Sequence, residues 1–98
     1  MLIKAGVDIS RLNREIRRAL NKVASVYYRH GQELIVTSTY EGDHSAGSLH
    51  YANNAFDCRL PDRDEIDILR EIIESLGDDF DIVREATHIH IEYDPKKK

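Results

Sequence analysis

Two histidines and an aspartate fall close together in His44-Ser-Ala-Gly-Ser-Leu-His50-Tyr-Ala-Asn-Asn-Ala-Phe-Asp57, and a second pair follows in His88-Ile-His90. Imidazole nitrogens and carboxylate oxygens are the donors of a catalytic zinc, which takes about three protein ligands and leaves one position open to water. His50, Asp57 and His90 can supply two nitrogens and one oxygen. His30 stands apart, in the cationic end of a helical pattern, and reads as a helix-end residue rather than a ligand.

The elements must bring these residues together. Leu12, Ile16, Ala19, Leu20, Val23, Val26 and Tyr27 recur at spacings of three and four, which predicts one amphipathic helix. Ser10 or Asp8 can cap it, and Arg29-His30-Gly31 can end it. Glu33-Leu-Ile-Val-Thr-Ser-Thr39 is apolar and β-branched in the middle, as for a strand buried on both faces, and a polar loop follows over 40–51. Ala55-Phe-Asp-Cys-Arg-Leu60 alternates, with Phe56, Cys58 and Leu60 on one side and Ala55, Asp57 and Arg59 on the other.

Pro61-Asp62 ends that strand, and Asp62 with Glu65 predicts the start of a second helix. Its expected buried face is Ile66, Leu69, Ile72, Ile73 and Leu76, with Gly77 as the stop. Phe80–Arg84 and His88–Tyr93 then predict a hairpin around Glu85-Ala-Thr87. In the last strand Ile89, Ile91 and Tyr93 face inward, and His88, His90 and Glu92 share the opposite face. The order predicts an α+β fold, with helices packed on one face of a mainly antiparallel sheet and a cleft on the other.

Parity therefore places Asp57 and the His88/His90 pair on the non-core side of neighbouring strands. Alternation alone does the same for any polar residue on a half-buried strand.

Composition narrows the function classes. At 98 residues the chain suits one domain, residues 1–98, and 41% hydrophobic with 33% charged residues is a soluble globular balance. A net charge of −4, with Lys96-Lys97-Lys98 as the basic run, argues against a nucleic-acid partner. No apolar stretch is long enough for a membrane span, and Met1–Asp8 lacks the apolar region of a secretory signal, so the expected localisation is cytoplasmic as synthesised. Work outside the cell would need a separate export or lysis route. Cys58 is the sole cysteine and reads as a buried structural thiol.

The run Ser48-Leu-His50-Tyr-Ala-Asn-Asn-Ala55-Phe-Asp57 resembles the Ser-x-His-x-x-Gly-x-Ala-x-Asp signature of the zinc DD-peptidase and D-alanyl-D-alanine carboxypeptidase family. Ser48-Leu-His50-Tyr51 and His88-Ile-His90 are also similar to the hedgehog amino-terminal signalling domain, which shares that fold and zinc site. The likeness covers roughly residues 34–93 and departs at Asn53, where the signature has glycine. Asparagine tolerates positive φ better than most residues.

The resemblance implies Zn2+ held by His50, Asp57 and His90, with His88 and His44 near the metal or at the developing oxyanion. It implies a metallopeptidase acting on D-amino-acid peptides such as peptidoglycan stem peptides, by Lewis-acid activation of carbonyl and water. The family places a Glu or Asp three residues before the ligand histidine. If His88 is the ligand, that acid is Glu85; if His90 is, the position holds Thr87. We take His90 as ligand and Glu85 as base. A non-catalytic zinc-containing binding module is the alternative, and a metal-free domain with solvated histidines is a third. Arg59 could bind a substrate carboxylate or pair with a surface acid.

Overall fold

A computed structural model describes residues 1–39 and 53–95; the expected loop over 40–51, the basic run 96–98, His44, Ser48 and His50 lie outside them. Helix α1 spans Arg14–Arg29, and the stripe read from the sequence is its buried face: Ile16, Ala19, Leu20, Val23, Val26 and Tyr27. Its start differs from expectation. Asp8 accepts a hydrogen bond from the backbone N–H of Ser10 (2.8 Å), so both candidate caps are used in a local turn. Asn13 precedes the helix in extended conformation without a side-chain cap, and its backbone N–H bonds to the carbonyl of Asn53 (2.9 Å). The helix start is thus tied to the start of a strand 40 residues away (53 − 13). The C-terminus follows expectation, with Gly31 at φ +71° and its N–H on the carbonyl of Tyr28.

The strands are β1 (Leu2–Ile3), β2 (Ile35–Thr39), β3 (Ala55–Arg59), β4 (Phe80–Arg84) and β5 (His88–Tyr93), with α2 (Glu65–Leu76) between β3 and β4. They form a five-stranded mixed sheet in the order β1-β2-β3-β5-β4. Among the described residues only β1 and β2 pair in parallel. The sequence reading did not foresee β1, a two-residue edge strand held by Leu2 N–H on Leu34 O and Lys4 N–H on Val36 O. Within β2 only Val36 is fully buried, so the expectation of a strand covered on both faces is corrected.

Both helices pack on the same side. The buried residues of α1 join Ile68, Ile72 and Leu76 of α2 and Val36, Phe56, Cys58, Ile89 and Ile91 of the sheet in one apolar cluster. In α2 the buried face is Ile68, Ile72 and Leu76, while Ile66 (78% exposed) and Ile73 (52% exposed) face outward, contrary to expectation. The N-cap is Asp64 rather than Asp62, at φ 60°, so the helix starts two residues later than expected. Ile68→Ala should therefore lower unfolding stability by about 2–5 kcal/mol, whereas Ile66→Ala should stay within about 0.5 kcal/mol of the parent, as read from urea midpoints. No helix among the described residues is long and apolar enough to cross a membrane.

Candidate functional site

The face of the sheet turned away from the helices carries the polar set. In β3–β5 register Asp57 stands opposite His90, Arg59 opposite His88 and Ala55 opposite Glu92. Directly opposed residues have their Cβ atoms about 4.5–5.5 Å apart, close enough for short polar side chains to meet. On the other side of β3, a bulge between Val36 and Ser38 of β2 brings Ser38 opposite Asp57. Such a bulge re-aims side chains at a local site.

Asp57 is the buried charged residue of this set, 7% exposed. Its Oδ1 lies 2.8 Å from Nδ1 of His90, and its Oδ2 lies 3.6 Å from Nε2 of His88, an ion-pair rather than hydrogen-bond distance. The other nitrogen of His90, Nε2, lies 3.1 Å from Oε1 of Glu92. Ionised carboxylates only accept, so when both bonds are made both ring nitrogens carry protons. The pKa of His90 is accordingly raised above its ordinary value, first by the Asp57 hydrogen bond, against the opposing effect of burial, with Glu92 adding to the rise.

Asp57, His88 and His90 are therefore brought together as expected from parity. His50 and His44 fall outside the described residues, and among the described residues no group of three donors able to hold an ion is complete. The donor types nonetheless suit zinc: imidazole and carboxylate, converging on a half-buried face without a thiolate. Cys58 points the other way, into the core, where burial pushes its thiol up to about 12. Tyr27 Oη donates to the carbonyl of Arg59 (2.8 Å), anchoring the C-terminal end of β3 from below.

Glu85 is exposed in the β4–β5 turn, where its backbone N–H bonds to the carbonyl of His88 (2.8 Å). That bond places Glu85 beside His88 at the end of the hairpin. Thr87 Oγ1 lies 3.1 Å from Nδ1 of His88. Arg59 is exposed on the same face, and among the described residues its guanidinium makes no ion pair, so the surface salt bridge considered for it is not seen there.

Sequence reasoning placed Glu92 on the face shared by His88 and His90 but gave it no role at the site. The carboxylate is half-buried against His90. The signal was present in the His-x-Glu spacing, which puts both side chains on one face of a strand. Asn53, the departure from the signature, adopts φ 63°, the left-handed conformation a glycine would take there.

His30 is outside this cluster. Its ring bridges an acid of the second helix and the residue that precedes that helix, Nε2 to Oε2 of Glu71 (2.9 Å) and Nδ1 to Oδ2 of Asp64 (3.1 Å). Its pKa is raised, chiefly by Glu71 and then Asp64. A raised folded pKa means the added stability is fully present below about 6.5 and is lost as pH rises through the folded value. Urea midpoints measured between pH 5.5 and 8.5 should fall for the parent, and the fall should be shallower for His30→Gln.

No family model, curated protein or solved structure matches the chain.

Proposed function

We propose that the chain is a zinc-dependent peptidase of the DD-carboxypeptidase or endopeptidase type, hydrolysing D-amino-acid peptides such as peptidoglycan stem peptides. The observation that carries this reading is the convergence of His88 and His90 on the buried Asp57 carboxylate, on the sheet face opposite the core. These are positions at which the family resemblance places a ligand pair and a neighbouring histidine. Asp57 and His90, with His50, would hold the metal. A bound zinc would supply Lewis acidity toward the scissile carbonyl and toward water.

The chain's own groups would do the rest. Glu85, at the hairpin turn beside His88, would accept a proton from water and return it to the leaving amine. If the Thr87 hydroxyl donates to Nδ1 of His88, the ring proton sits on Nε2, the nitrogen turned toward Asp57. Nε2–H is then a donor for the oxyanion, a role worth about a hundredfold or more in rate per donor. His44 would assist from the preceding loop. Arg59, exposed beside His88 in register, is suited to gripping a substrate carboxylate.

A second reading, a zinc-containing binding module without turnover, is favoured by one observation: the Glu85 carboxylate makes no hydrogen bond or ion pair with the polar cluster among the described residues. Metal analysis of the purified protein, with His50→Ala and Asp57→Ala beside it, separates these ideas from a metal-free domain. Stoichiometric zinc in the parent and its loss in both variants is expected. On muropeptides the peptidase should release D-alanine or stem fragments, and Glu85→Gln should lower that rate by about 10²- to 10⁴-fold. A zinc-loaded parent with no turnover would leave the binding module; a parent without zinc would sink both.

A further inference from the structure

His90 is gripped at both ends of its ring, and the two grips cannot serve the same purpose. Nδ1 faces Asp57 on the neighbouring strand and Nε2 faces Glu92 on its own strand, with both carboxylates half-buried or more deeply covered. The two ring nitrogens point away from one another, so a single ion cannot take Asp57 and Glu92 together with His90 between them. Whichever nitrogen binds metal must lose its proton, and the other keeps its N–H and needs an acceptor. Ligand histidines routinely donate that second N–H to a carboxylate, which sets the tautomer and the ring orientation.

The strand geometry decides which carboxylate takes which part. Asp57 is in direct register with His90 and lies at an ion-pair distance from His88, so it sits between the two imidazoles. Glu92 lies two residues along β5 on the same face, about 6.8 Å further on at the usual rise per residue. Its carboxylate reaches back along the strand to the far edge of the ring, with Asp81 of β4 opposite it in register.

We propose that Glu92 is a positioning residue, holding the Nε2 edge of His90 so that Nδ1 is the nitrogen presented to the metal beside Asp57. This deepens the zinc reading and rests on it. Glu92 neither touches substrate nor ligates; it acts through the orientation of His90.

The test reads the ring itself and then the metal. In the metal-free parent, a long-range ¹H–¹⁵N correlation spectrum should show a His90 Nε2–H resonance protected from solvent exchange. It should persist in the zinc-loaded protein, with Nδ1 deprotonated. Glu92→Gln keeps an acceptor oxygen and should retain the resonance. Glu92→Ala and the length-matched Glu92→Met should lose it, and their zinc affinity, measured by chelator competition, should fall by about 10- to 100-fold. An unchanged Nε2–H in both of those variants overturns the proposal. So does an unchanged zinc affinity once the resonance is lost, or a zinc-loaded ring protonated on Nδ1. A parent that shows the protected Nε2–H but takes up no zinc overturns the zinc reading, while the grip of Glu92 on the ring stands.

Discussion

Asp57→Asn should leave the chain folded and, if the proposed function holds, abolish zinc binding and peptidase turnover. The two side chains have nearly the same shape, so the change tests charge rather than packing. Asp57 is 7% exposed and takes Nδ1 of His90 at 2.8 Å, with Nε2 of His88 at 3.6 Å. Asparagine can still accept a hydrogen bond through its amide oxygen, but it offers no negative charge to a cation or to either imidazole. On the proposed function the loss of zinc affinity should exceed the roughly 10- to 100-fold typical of removing a supporting partner, because a ligand itself is lost.

One readout needs no metal. The Asp57 hydrogen bond is the largest cause of the raised pKa of His90, so that pKa should drop toward its ordinary value in Asp57→Asn, as followed by NMR titration. The sign for stability follows. A raised folded pKa adds stability below about 6.5 that is lost as pH rises through the folded value, and the variant should show a shallower dependence than the parent. A His90 pKa that does not move would refute the coupling on which the site is built.

Phe56→Ala, one residue away, should do the opposite: large damage to stability with the polar face untouched in composition. Phe56 is fully buried in the cluster formed by α1, α2 and the sheet. Truncating a buried phenylalanine costs about 3–5 kcal/mol, from lost transfer free energy and the cavity left behind. A domain of ordinary stability has about 5–15 kcal/mol in all, so about a fifth or more of it should disappear from the urea midpoint. If the chain binds zinc as proposed, added metal should restore part of the loss, about 2.7 kcal/mol at a hundredfold excess over the dissociation constant. Stability unchanged within about 1 kcal/mol would contradict the placement of β3 at the centre of the core.

These neighbouring residues also show why the site was legible at all. A strand alternates its faces by covalent geometry, so Phe56 and Cys58 inward implies Asp57 outward, and Ile89 and Ile91 inward implies His88, His90 and Glu92 outward. The same local logic carried α1, whose apolar residues fit one stripe, and the hairpin of β4 and β5, whose limits are those read from the chain. The left-handed Asn53 belongs here too, because positive φ is a property of the residue and its turn.

Other features depended on what each element meets in space. Helix α2 has apolar residues at 66, 68, 69, 72, 73 and 76, more than one buried face can hold, so periodicity allows two rotations; contact with α1 and the sheet selects Ile68, Ile72 and Leu76. The helix starts resisted local reading because Asp8 is taken by Ser10, while Asn13 is bound through its backbone to a residue far along the chain. The parallel pairing of β1 with β2 joins segments more than thirty residues apart, which two residues of sequence cannot announce. Alternation placed Asp57 and His90 on the proper faces by covalent geometry, but only the strand order β2-β3-β5 makes them neighbours, and only side-chain packing brings the Glu92 carboxylate against the second nitrogen of His90.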